Sequence, residues 1–161
     1  MQQANFKRKT PMKRTLFRKP IKRKKKPLSK LAKRKQNPNS KYYKKRADAA
    51  WSKVVRRVGK CEKCGRTQNL QAHHFIRRDV LHLRHVVENG ICLCSHCHAN
   101  DKMNSAHGSP LNFYEWLADV KPKRMAWVEA HRHEQKPLER ETYAEALERL
   151  ARMIECTKCV L

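Results

Sequence analysis

The sequence has no run of apolar residues approaching the roughly 18 needed to cross a bilayer, and its N-terminus lacks the apolar stretch of a secretory signal. It has no internal repeat, and its basic N-terminal stretch has neither an amphipathic face nor a lipidation motif. These absences argue against a membrane partner and lead to the expectation of a soluble cytoplasmic protein. Acids are scarce as well: 14 Asp and Glu face 39 Lys and Arg in 161 residues, a net charge of +25. That length accommodates one small domain with appendages and excludes two large ones.

The charge is graded along the chain. Residues 1–38 carry 16 basic side chains and no acid, residues 39–110 carry 14 against 5, and residues 111–161 carry 9 against 9. A polybasic arm leading into a basic middle suits a polyanion, because each neutralised phosphate releases condensed counterions. Nucleic acid is therefore the expected partner. Prolines 11, 20, 27 and 38 and the shortage of apolar side chains predict that residues 1–38 are disordered when free. Within them Lys22-Arg23-Lys24-Lys25-Lys26 fits phosphate attraction, with Lys24 and Lys25 as candidate DNA contacts, and equally fits a nuclear-import signal.

From Asn39 the pattern changes. Tyr43, Ala47, Ala50, Trp51, Val54, Val55 and Val58 share one helical face, with Ser40 as a start signal and Gly59 as a stop, so an amphipathic helix is expected within residues 39–60. Its other face carries Lys44, Lys45, Arg46, Lys53, Arg56 and Arg57. Helical periodicity returns at Leu111–Val120 and at Leu138–Ile154, giving a C-terminal helical segment over residues 111–161.

The 7 cysteines fall as Cys61 and Cys64, then Cys92, Cys94 and Cys97, then Cys156 and Cys159. Paired C-x-x-C spacing without an export signal points to metal rather than disulfides. Cys61, Cys64, Cys94 and Cys97 are the expected ligands of a structural Zn2+, which replaces a core that about 50 residues cannot supply alone. Cys92, in Gly90-Ile91-Cys92-Leu93, reads as a small apolar strand residue. Cys156 and Cys159 have no partner pair, and a second metal, a redox role and a frayed terminus all fit them.

Between the cysteine pairs stand His73-His74, and Asn89-Gly90-Ile91-Cys92-Leu93-Cys94 followed by Cys97-His98. The order C-x-x-C, H-H, N-G-x-x-L-C-x-x-C-H over roughly residues 61–103 resembles the HNH endonucleases of the ββα-metal fold, notably small phage and bacterial members with a structural zinc. The NinG-type phage recombination nucleases are a narrower resemblance. The resemblance implies an α+β fold with a zinc-bound ββα core over residues 61–110, cytoplasmic in a bacterium or a phage-infected host, with association with phage or host DNA-processing proteins. It also implies hydrolysis of DNA to 5′-phosphate and 3′-hydroxyl ends.

In that scheme His74 is the general base that takes a proton from water, and His73 and His98 hold a divalent cation against the scissile phosphate. Asn89 supports the loop that orients the base, and Arg78 and Arg84 offer phosphate contacts. Many members of the family have Asp at the position of His73; a histidine shifts preference from Mg2+ toward Mn2+, Ni2+ or Zn2+. His107, Asp101 and Asn100 are candidates to complete the cation's shell, with water as the default. His82 and His85 are expected to be loop or surface residues, and His96 to point outward. Two other classes remain open at this level: a non-catalytic zinc-containing nucleic-acid-binding protein, and an inactive HNH-derived structural factor.

Overall fold

The computed structural model describes residues 28–134, 137 and 139–156. Its elements in chain order are α1 (Lys30–Gln36), α2 (Lys41–Val55), β1 (Leu70–His74), β2 (Gly90–Cys94), α3 (Pro110–Val120), α4 (Pro122–His131) and α5 (Tyr143–Glu155). The class is α+β, with one two-stranded antiparallel sheet among helices. Among the described residues no helix is long and apolar enough to cross a membrane.

The two strands pair from Leu70 opposite Cys94 to His74 opposite Gly90. Successive side chains on a strand point to opposite faces, so this register sorts the hairpin into two surfaces. Ile91 and Leu93 enter one core with Phe113 and Leu117 of α3 and Val128 of α4. Cys92 enters the other, with Trp51, Val54 and Val55 of α2 and Leu150 of α5. All five residues of β2 are buried, as expected of a strand covered on both sides.

Helix α2 follows Ser40 and tightens after Val55 into a 3-10 turn, Arg56–Val58, before Gly59 stops it at φ 74°. That left-handed conformation is open to glycine at little cost. Helices α3 and α4 each begin on a proline, whose missing N–H is not needed in a first turn. Helix α5 starts at Tyr143 and not at the expected Leu138, because Thr142 and Glu145 form a reciprocal capping box.

Helix α1 corrects the expectation that the whole arm to residue 38 is unstructured. Ser29 caps it by accepting from the Ala32 N–H, and the Tyr43 hydroxyl of α2 donates to the Lys35 carbonyl, so a contact the arm does not contain holds it. The rest of the arm, residues 1–27 with Lys24 and Lys25, lies outside the described residues. After β2 the chain makes a five-residue π-helical turn, His96–Asn100, where the resemblance implies a helix.

Candidate functional site

Four sulfurs converge at the end of the hairpin. Cys61 and Cys64 sit on a tight turn in which the Gly65 N–H donates to the Cys61 carbonyl (2.9 Å) and the Cys61 N–H to the Arg66 carbonyl (2.7 Å). Gly65 has φ 77°, the conformation that makes glycine the natural residue there. Cys94 ends β2 and Cys97 lies in the π turn, its N–H 3.5 Å from the Cys94 sulfur. The four ligand atoms lie within 4.8 Å of one another, and the sulfurs of Cys64 and Cys94 are 3.6 Å apart. A tetrahedral zinc with bonds of about 2.3 Å requires roughly 3.8 Å between sulfurs, so the donor set fits a structural ion such as zinc.

Burial opposes ionisation of Cys61, but N–H groups of Cys94, Cys64 and Lys63 directed at its sulfur lower its pKa to about 7. Cys92 behaves differently. It points into the α2 core and is fully buried, and burial together with the nearby Glu62 raises its thiol to about 11. Cys92 and Cys94 share a strand parity, and position divides them: Cys92 lies within β2 against the α2 core, whereas Cys94 is its last residue, where the chain turns toward Cys97.

A second cluster forms one strand over. His73, His98 and His107 bring ring nitrogens within 4.8 Å of one another. His73 faces the α3 side, with Phe113 edge-on at 5.7 Å between centroids. His107 reaches the cluster because the chain doubles back after the π turn: the Ala106 N–H bonds to the Cys97 carbonyl and the His107 N–H to the His98 carbonyl, both at 3.0 Å. The Nε2 atoms of His98 and His107 are 3.2 Å apart. Bonds of about 2.1 Å to one ion separate neighbouring ligand atoms by roughly 3.0 Å in an octahedron and 3.4 Å in a tetrahedron, so the 3.2 Å spacing of this pair is one that could hold a cation.

The protonation states agree with that use, since a metal binds neutral imidazole. Burial, reinforced by repulsion from His98, His107 and His74, lowers the His73 pKa to about 3. Burial and His107 also lower that of His98. The Gln71 side-chain oxygen meets His98 Nδ1, which leaves Nε2 turned to the cluster. His107, weighed in the sequence beside Asp101 and Asn100, is the residue the fold brings in. Asp101 is instead occupied by the N–H groups of Met103 (2.9 Å) and Asn104 (3.1 Å), and Asn100 is exposed.

His74 belongs to the opposite face. Across from it stands Gly90, and a Cβ there would come within 2.7 Å of Trp51 and 2.6 Å of Val55. The absence of that side chain admits the Trp51 indole, which stacks on His74 with centroids 3.7 Å apart and planes 13° from parallel. Trp51 is itself fixed by a 2.8 Å bond from Nε1 to the Val86 carbonyl. His74 Nε2 lies 2.9 Å from the Arg84 carbonyl. A carbonyl only accepts, so Nε2 carries the proton and Nδ1 the lone pair. Burial, which outweighs the opposing hydrogen bond, lowers the His74 pKa and favours the neutral ring. Because β1 ends at His74, both histidines border one cleft of about 500 Å³, with His98, His107, Arg77 and Arg78.

The loop between the strands is organised by Asn89, which is fully buried. Its amide oxygen accepts from the Ile76 N–H (2.7 Å), and its amide nitrogen donates to the carbonyls of Ile76 and Leu83 (both 3.0 Å). Arg78 is exposed at the cleft rim. The expected phosphate role of Arg84 is corrected: its side chain is buried and holds both carboxylate oxygens of Asp48 at 2.7 and 2.8 Å. His85 is no surface residue either, being buried with Nε2 2.8 Å from Asp48. His96 does point outward, with 51% of its side chain exposed. Cys156 ends α5, and Cys159 lies outside the described residues.

Comparison with protein-family models, with curated proteins and with solved structures finds no match to this chain.

Proposed function

We propose that the protein is a metal-dependent HNH-type endonuclease that hydrolyses DNA phosphodiester bonds to 5′-phosphate and 3′-hydroxyl ends. The observation that carries this reading is the pairing, on one cleft, of a three-imidazole cluster with a separate imidazole, His74, held through Nε2 by the Arg84 carbonyl. Phosphodiester cleavage needs an activated water, a counter-charge at phosphorus and relief of charge on the departing oxygen. His74 Nδ1 serves the first need by taking the water's proton. A divalent cation held by His73, His98 and His107 supplies the counter-charge for the other two. The all-nitrogen donor set favours Mn2+, Ni2+ or Zn2+ over Mg2+.

The remaining parts serve these groups. Zn2+ on Cys61, Cys64, Cys94 and Cys97 fixes the hairpin that carries the histidines. Asn89 holds the loop over residues 75–88 in one shape, and Arg78 meets the phosphate backbone at the rim. Charge of +25 draws the DNA in without choosing a sequence, since Lys and Arg of a basic arm meet phosphates rather than base edges.

The test is incubation of the purified full chain with plasmid, linear and branched DNA under Mg2+, Mn2+, Ni2+ and Zn2+, alongside His74→Ala. Cleavage by the wild type and none by the variant, with equal DNA binding and zinc content, is expected. Binding without cleavage under every ion would leave a non-catalytic zinc-containing nucleic-acid-binding protein.

A further inference from the structure

The base is held by a main-chain carbonyl, and that carbonyl belongs to a loop. Loops are the more mobile parts of a fold, so the aim of His74 depends on what fixes residue 84. Its own side chain does so. Arg84 Nε and Nη2 donate to the two carboxylate oxygens of Asp48 on α2 at 2.7 and 2.8 Å, a bidentate arrangement that sets direction as well as distance. Its Nη1 donates to the Arg78 carbonyl at 2.6 Å. His85 Nε2 adds a third contact to Asp48 at 2.8 Å.

Asp48 and Trp51 are three residues apart on α2 and therefore lie on one side of it. One helix thus stacks an indole on the His74 ring and, through Arg84, presents a carbonyl to its edge. We infer that Asp48 and Arg84 are positioning residues for His74: the ion pair anchors the Arg84 carbonyl so that the imidazole keeps its proton on Nε2 and its lone pair on Nδ1. This rests on the reading of His74 as the general base. The same pair holds the Arg78 carbonyl, so it also ties the rim arginine's backbone to the base.

A structural ion pair alone would affect folding and nothing else, whereas a positioning pair alters the ring's tautomer and turnover in protein that remains folded. The experiment uses the full chain loaded with zinc, with histidine rings labelled for NMR, and steady-state cleavage of plasmid DNA. The wild-type His74 ring is expected as the Nε2–H tautomer. Asp48→Asn is expected to mix the tautomers and to lower kcat about 10- to 100-fold, with KM and zinc content unchanged. Asp48→Glu, which keeps the carboxylate, is expected to restore most of the loss.

An Nδ1–H ring in the wild type overturns the inference without any variant, so a poorly folding Asp48→Asn does not shield it. An Asp48→Asn enzyme with wild-type kcat overturns it too, as does a loss matched by lost zinc. Absence of cleavage by the wild type overturns the nuclease reading and with it the catalytic meaning of the pair. A mixed tautomer in an active wild type overturns the positioning role alone.

Discussion

Two donor clusters share one short hairpin, and they differ in what they leave open. The four sulfurs fill a tetrahedron and so suit an ion with no remaining task beyond holding chain segments together. The three imidazoles are only three donors and border a cleft of about 500 Å³. Four donors complete a structural zinc site whereas catalytic ones keep an open position, and the proposed roles of the two clusters follow that difference in donor count and surroundings.

The largest expected effect comes from the saturated cluster. Cys64→Ser should abolish cooperative thermal unfolding, because metal binding to such small modules contributes on the order of 10 kcal/mol to folding. Circular dichroism with metal analysis by mass spectrometry checks it, and a variant that stays folded and metal-free would erase the difference between the two clusters. Next comes the open cluster, where His107→Ala should lower kcat by about 10²- to 10³-fold while the melting temperature moves less than about 4 °C. Unfolding of that variant would show the imidazoles to be structural as well.

Gly90→Ala sharpens the contrast between the hairpin's faces. Its new Cβ would meet Trp51 and Val55 at 2.7 and 2.6 Å, so it should cost about 1–3 kcal/mol in urea denaturation. It should also reduce cleavage by displacing the indole from His74, with cation binding on the other face unchanged.

The smallest effect concerns acid. Burial alone would raise the Asp48 carboxyl, but hydrogen bonds from His85 and Arg84, and their charge, hold it well below the usual carboxylate range. A lowered folded-state pKa adds stability above the unfolded value of about 3.9, and that share is lost as pH falls through the lower one. Asp48→Asn should therefore be less stable than the wild type at pH 6, and the gap should narrow below about pH 4. A gap that stays constant to pH 2 would show that the carboxylate's charge is not what stabilises the loop.

Much of this was legible in the sequence, where chemistry was written at short range. C-x-x-C spacing marked all four sulfur donors, the apolar run Gly90-Ile91-Cys92-Leu93 set Cys92 apart as a small strand residue, and the face bearing Trp51 marked α2 between Ser40 and Gly59. What escaped depends on distant partners. Arg84 reads as a free cation until Asp48, 36 residues earlier, is seen against it. His107 was one of three candidates for the histidine cluster, and only the fold-back onto Cys97 and His98 singles it out from Asp101 and Asn100. The capping box at Thr142 and Glu145 was readable as a helix start, yet the apolar pattern drew the boundary back to Leu138.

The sulfur cluster sits at the Leu70–Cys94 end of the ribbon, while His74 and Gly90 close the other end. With five residues per strand, the cysteines add a fixed end to a register that the two buried faces of β2 and the Gly90–Trp51 contact also set. A shift of one position would exchange which histidine faces the indole and which faces its two fellow imidazoles. The cysteines thereby act as a ratchet stop at one end and Gly90 beneath Trp51 at the other: by denying the ribbon that single step, they keep two identical neighbouring side chains in unlike trades.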